Sequence, residues 1–261
     1  MQALSPAPHR FDRLDALRGL AIVWMAVFHF CYDLNHFRLL QPVQRFLSDP
    51  FWTTQRTAIV TLFLLCAGLG QAAALQAGQA PARFWRRWSE VAGCAALVSL
   101  GSWWMFGPRW IHFGVLHAVA VMLLVLRFGA APLLRAAPRA GAAGLAALAV
   151  LALALPRLWG HPALDARWAT PLGLGTRLPA TEDYVPLLPW LGVVLAGLLL
   201  GRWLLAHRPS WLRGAVPAAL APLATLGRWS LSFYMLHQPV LFGALMAWGA
   251  WRGGLSAAAG G

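Results

Sequence analysis

The chain has 261 residues, 59% of them hydrophobic and only 11% charged, with a mean hydropathy of +0.61. Soluble domains carry about 25% charged residues, so this composition excludes an ordinary soluble domain and reads as an integral membrane protein. The formal charge is +13 and all 21 basic residues are arginine; because they bracket apolar spans they signal topology, and nucleic acid is not an expected partner.

Apolar segments at about 14–36, 53–76, 88–106, 111–128, 140–157, 185–205 and 223–250 each approach the roughly 20 residues a bilayer requires. They predict an all-α, polytopic membrane helical bundle of about seven transmembrane helices. Residues 1–13 read as a cytoplasmic tail, 14–252 as one transmembrane domain and 253–261 as a C-terminal tail. Residues 1–13 are polar and no small-residue cleavage site follows, so no cleavable signal peptide is expected. Arginines concentrate in the N-terminal tail and in alternate loops (Arg83, Arg86, Arg87; Arg127, Arg135, Arg139; Arg202, Arg208, Arg213), which predicts a cytoplasmic N-terminus. The all-arginine, alanine- and leucine-rich usage points to a GC-rich bacterial genome and hence to the inner membrane. Cys31, Cys66 and Cys94 have no paired spacing and read as inert small hydrophobes.

The first span, RLDALRGLAIVWMAVFHFCYDLNHF, carries the most information. Arg18 and His29 lie eleven positions apart with only apolar residues between them. Eleven steps of 100° fall within about 20° of three full turns, so the two side chains share a face. Asp15, Asp33 and His36 fall in the same arc of about 60°, with Trp24 opposite. Charged and imidazole groups are costly in lipid and ask for a function. With Arg18 at the cytoplasmic boundary, His29 sits about 16 Å deeper, near mid-membrane. Asp33, at i+4, could orient His29 as a general base. Interfacial anchoring by Asp15, Arg18 and His36, with His29 bonded to a neighbouring helix, accounts for the stripe equally well. No metal is expected.

Gln55 and Arg56 begin the second span, where Arg56 either holds an acidic group or snorkels. In RWIHFGVLHAVAV, His112 and His117 are about 140° apart on their helix and so cannot serve one ligand from one face; the deeper His117 is the better site candidate, or else a structural histidine. The long loop 158–184 is expected outside the cell as a binding surface or lid. Glu182 and Asp183 precede the sixth span, where acids also serve as partners of a helix dipole. In LGRWSLSFYMLHQPV, Ser230, Tyr234 and His237 share a face that should line a cavity, and Pro239 is expected to break the helix.

The opening segment resembles that of the bacterial membrane family grouped with the heparan-α-glucosaminide N-acetyltransferase catalytic domain. FGVLHAVAV, TEDYVPLLPWLGVVLAG and LGRWSLSFYMLHQPV resemble its other signature stretches, in the same order. The Arg-x10-His spacing is also similar to that of acyltransferase-3 proteins, where the pair is essential. The resemblance implies a transmembrane acyltransferase that moves an acyl group, acetyl above all, from acyl-CoA to a sugar, glycan or lipid-linked acceptor. It makes His29 the catalytic histidine and Arg18 its companion. In the lysosomal enzyme an Asn stands where this chain has His29 and the active histidine follows several residues later, so His36 is the rival.

Stripe and resemblance together predict a cavity formed by the first, second, fourth, sixth and seventh helices. His29, Asp33 and His36 would carry the chemistry, Arg18 and Asp15 the CoA end, and Arg56, His117, Glu182, Asp183, Tyr234 and His237 the substrate. Besides acyl-CoA and the glycan acceptor, the expected partners are the lipid bilayer and, left open, a second copy of the chain. A small transporter or proton-coupled channel would use the same stripe, although no inverted repeat is evident. A subunit that only scaffolds an envelope complex is the third reading.

Overall fold

The computed structural model describes residues 11–252; most of the expected cytoplasmic tail (1–10, with Arg10) and the expected C-terminal tail (253–261) lie outside the described residues. Within the described residues the fold is helical, without a strand and with one isolated bridge, between Phe113 and Tyr184. The helices are α1 (Asp12–His36), α2 (Pro50–Gln76), α3 (Pro81–Phe106), α4 (Val115–Leu124), α5 (Ala131–Ala136), α6 (Pro138–Leu158), α7 (Leu187–His207), α8 (Ala221–Arg228) and α9 (Ser230–Trp251). Local chemistry favours these boundaries. Asp12 and Asp15 occupy the first turn of α1 and His36 its last, each matched to the helix dipole. Proline opens α3 and α6, where its missing N–H costs nothing.

Among the described residues, six segments are long and apolar enough to cross a membrane: α1, α2, Pro81–Arg109, Val115–Ala136, α6 and α7. The polytopic all-α architecture expected from the sequence is therefore the one found. At 22 residues α9 has the length of a seventh span, but His237, Gln238 and Pro239 dilute its apolar character.

Contacts divide the chain into two compact units, Met1–Phe63 with Arg213–Gly261, and Leu64–Leu212. In the first unit α1 and α9 run parallel. Asp12 meets Arg228, just before α9, at one end; His29 lies against His237 midway; His36 lies against Phe242 at the other end. A chain leaving α1 beyond His36 and entering α9 at the opposite pole needs an odd number of crossings between them. The five intervening apolar segments supply an odd number, which brings the total to seven with α9. The apolar heart of this unit is Ile22, Met25 and Ile59, flanked by Trp24, Phe28, Phe63, Leu226, Phe233 and Tyr234. Opposite the polar stripe, Trp24 donates its indole N–H to Gln55 Oε1 (2.8 Å), which satisfies both groups in an apolar setting.

In the second unit α6 packs on α7, and α7 closes on the second half of α2 through Gly197 and Gly68. A Cβ at Gly68 would collide with the Val194 carbonyl oxygen, so these backbones touch where small residues permit it.

Three local expectations are corrected. The fourth span extends to Ala136 rather than ending near 128, because a π-helical turn at Val125–Ala130 carries the chain past Pro132 into α5. A wider turn accommodates the amide that proline lacks. Arg127, expected in a loop, is thus inside the span; it donates to the Gln79 carbonyl (3.3 Å) and lies 5.3 Å from the Phe84 ring centroid. The last span is not broken at Pro239, which lies within α9; the chain bends at Trp229, between α8 and α9. His112 is not helical, since α4 begins at Val115, so its angular relation to His117 does not apply.

Candidate active site

At the Asp12 end of α1, four charged side chains interlock. Asp15 Oδ1 accepts from Arg18 Nη1 (2.7 Å), Arg228 Nη2 reaches Asp12 Oδ1 (3.0 Å), and Arg228 Nε stands 3.9 Å from Asp15 Oδ2. Two arginines against two aspartates leave the cluster formally neutral. Asp15 holds one edge of the Arg18 fork, and the guanidinium's five donors leave others available. The cluster forms because α8 lies directly on α1. A Cβ at Gly19 would strike the Leu223 carbonyl oxygen, and one at Gly227 the Asp15 carbonyl oxygen.

Farther along α1, the His29 ring faces the His237 ring of α9 with centroids 5.1 Å apart. His237 is sandwiched from its own helix by Phe233, stacked nearly parallel at 6.2 Å. Its Nδ1 lies 2.7 Å from the Tyr234 carbonyl oxygen. One helical turn beyond His29, Asp33 is 1% exposed, and its Oδ1 accepts from Gln238 Nε2 (2.8 Å). Asp33 is therefore engaged by Gln238, and the expected Asp33–His29 hydrogen bond does not form. Three buried atoms here lack a hydrogen-bond partner: Asp33 Oδ2, His237 Nε2 and Gln238 Oε1. His36 is exposed, with the rings of Phe37 and Phe242 beside it at 5.3 and 5.9 Å. Phe28 lies edge-on to His29 (5.9 Å) and belongs to an aromatic cluster with Tyr32, Phe46 and Trp52, in which Phe46 and Trp52 stack at 3.9 Å. Arg56 is exposed on α2.

The sequence candidates of the second unit are engaged otherwise. Gly114 N–H donates to His117 Nδ1 (3.3 Å), and His117 Nε2 lies 3.0 Å from Ser99 Oγ, which itself donates to the Ile111 carbonyl (2.7 Å). Since Nδ1 accepts, Nε2 carries the hydrogen, and both ring nitrogens are occupied in a structural relay. Asp183 Oδ2 accepts from Val115 N–H (2.9 Å), so it serves the N-terminus of α4 rather than that of the helix it precedes. Glu182 pairs with Arg109 at 2.7 Å. Tyr184 donates its hydroxyl to the Thr170 carbonyl (2.7 Å), and burial pushes its phenol up to about 12. His112 Nε2 meets Thr170 Oγ1 (2.9 Å), and burial holds its imidazole below the ordinary histidine value. The loop expected to act as a lid is pinned to the 107–114 segment at several points.

Sequence reasoning passed over Arg228 and Gln238. Both sit in the quoted segment LGRWSLSFYMLHQPV, but a helix wheel of one span cannot reveal which polar residue on another helix completes a pair. Among the described residues no group of three or more His, Cys, Asp or Glu is placed to hold a metal ion.

The apolar spans define a polytopic integral membrane protein, in which α1 and α9 share a polar face. The chain belongs to a family of membrane acetyltransferases: residues 10–239 match the family described as heparan-alpha-glucosaminide N-acetyltransferase, catalytic. No match is found among curated proteins or among solved structures.

Proposed function

We propose that this protein is a bacterial inner-membrane acetyltransferase, with a cytoplasmic N-terminus. It carries an acetyl group from cytoplasmic acetyl-CoA to a sugar, glycan or lipid-linked acceptor on the extracytoplasmic side. The observation that carries the reading is the half-buried polar rung where His29 of α1 faces His237 of α9 beside the buried Asp33, in a chain of this family. In this reading residues 14–252 form the transferase domain, flanked by tails at 1–13 and 253–261.

His29 is the catalytic histidine because it is half-buried, lies edge-on to Phe28 and faces a second imidazole, whereas His36 is exposed. Asp33 supports the site through Gln238. Arg18, oriented by Asp15, offers its remaining donors to the CoA phosphates, which guanidinium forks match. Acetyl-CoA supplies the thioester. Tyr234 and His237 line the acceptor side, and holding two substrates against one rung supplies much of the rate. Arg56, exposed on α2, is reserved for an acidic acceptor group. His117, Glu182 and Asp183 have structural partners that account for them, and the proposal does not need them as ligands.

The deciding experiment is CoA thiol release from acetyl-CoA by purified protein in nanodiscs, with and without amino sugars. It is joined to mass spectrometry of envelope glycans from a deletion strain. Acceptor-dependent release supports the transferase, and its absence with every acceptor favours the transporter alternative.

A further inference from the structure

The three unpartnered atoms beside His29 have one polarity. Asp33 Oδ2 is a carboxylate oxygen and Gln238 Oε1 a carbonyl oxygen, since the amide nitrogen of Gln238 is already spent on Asp33. The third is fixed by the backbone. A carbonyl can only accept, so the contact from His237 to Tyr234 O puts the hydrogen on Nδ1. In the neutral ring this leaves a lone pair on Nε2, buried and unpartnered. Leaving buried polar groups unpaired costs about 1–3 kcal/mol each, and such groups call for an explanation. Three acceptors on adjacent rungs of α1 and α9 ask for a ligand rich in donors. A thioester carbonyl, itself an acceptor, is the wrong partner; a hydroxyl or an amine is the right one. The held Nδ1–H and stacked Phe233 fix the imidazole as a general base is fixed, oriented by one nitrogen and free at the other.

We infer that His237 is a second catalytic histidine, which takes at Nε2 the proton of an acceptor hydroxyl or amine recognised by Asp33 Oδ2 and Gln238 Oε1. This rests on the acyl-transfer reading above and assigns the proton that reading leaves unplaced. The acceptor's O–H or N–H bond breaks as its oxygen or nitrogen bonds to the thioester carbonyl carbon. The C–S bond then breaks, and the departing thiolate takes the proton back from His237, giving free CoA and the acetylated acceptor. His29, across the 5.1 Å gap, is on the donor side of the same reaction.

The test uses the full chain in nanodiscs, with acetyl-CoA as donor and D-glucosamine as the probe acceptor. His237→Asn is the main variant, because its amide can keep the hydrogen bond to the Tyr234 carbonyl while removing the base. It should lose about 10²–10⁴-fold in kcat and leave KM for acetyl-CoA unchanged. His237→Ala should regain part of that loss on addition of imidazole, which a structural role would not produce. In parallel, carbethoxylation of the wild type mapped by mass spectrometry should mark His237, and glucosamine should slow that labelling without acetyl-CoA. Wild-type kcat in His237→Asn, or labelling indifferent to glucosamine, overturns the assignment. If the wild type transfers nothing yet glucosamine still protects His237, the transferase reading falls with the proton step, and the donor-recognising site survives.

Discussion

Two histidines on one stripe of α1 differ in a way no helical wheel can express: His29 is half-buried against His237, and His36 is exposed. His29→Ala should preserve expression and membrane insertion but lower acetyl transfer by about 10²–10⁴-fold, while His36→Ala should be mild; CoA release assays on both variants check this. Activity lost only in His36→Ala would mean the wrong histidine has been chosen. At Arg18, lysine keeps the charge but loses the fork. Arg18→Lys should therefore raise KM for acetyl-CoA, and an unchanged KM in Arg18→Ala would remove its phosphate role. The stripe itself was legible because Arg18, His29 and Asp33 stand out in apolar sequence. Their partners were not. Asp33 has His29 one turn away along its own helix, yet the Gln238 amide binds it from α9, and no local pattern encodes that choice.

Helices succeed or fail here on close approach. Gly19 and Gly227 let α1 and α8 meet backbone to backbone, which brings Arg228 to Asp12 and Asp15. Gly19→Ala or Gly227→Ala should destabilise the protein by about 1–3 kcal/mol through overpacking, and should raise KM for acetyl-CoA as Arg18 and Arg228 shift; thermal unfolding in detergent and kinetics measure the two effects. Helix existence was readable from hydropathy, whereas the interruptions were not. Pro239 looked like a break and is absorbed, while the actual bend at Trp229 carries no breaker residue. The loop pinned by His112 makes a pH prediction. Burial lowers this imidazole from its unfolded value of 6.5, so the unfolded chain takes up a proton that the folded chain refuses. Its stabilisation is complete above that value and is lost as pH falls below it. The melting-temperature gap between wild type and His112→Asn should therefore narrow between pH 7.5 and 5.5; a constant gap would exclude His112 as the titrating group.

For the whole molecule, topology decides whether a cytoplasmic donor and an outer acceptor can share one site. The loop 158–184 should be extracytoplasmic and the α2–α3 turn cytoplasmic. Thr170 is buried (3% exposed) and unsuited to labelling, but Leu178 (83% exposed) and the exposed Ala77 are open. With Cys31, Cys66 and Cys94 replaced, an impermeant maleimide on intact cells should mark Leu178→Cys and spare Ala77→Cys. Protection at both positions, or the reverse pattern, would break the proposed acceptor route. The sequence pattern predicted about seven crossings, and the parallel run of α1 and α9 supplies an independent reason for an odd total. What hydropathy could not supply was the reason the last helix scores low. Its His237 and Gln238 are turned toward α1, and averaging along a span is blind to the direction a side chain faces.

That parallel pairing joins residues 205 positions apart, Asp33 and Gln238. At roughly 5–20 residues per second of synthesis, the growing chain waits about 10–40 s between the emergence of one partner and the other. Through that interval α1 carries Asp33 and His29 into the bilayer without the residues of α9 that will bond to or face them. Its insertion must then be borne by its own apolar flank and by early neighbours such as Gln55, or by the insertion machinery holding it until α9 arrives. The proposed site is therefore completed only after α9 is made, and nascent chains stopped short of Gln238 should be the ones that membrane quality control recognises and removes.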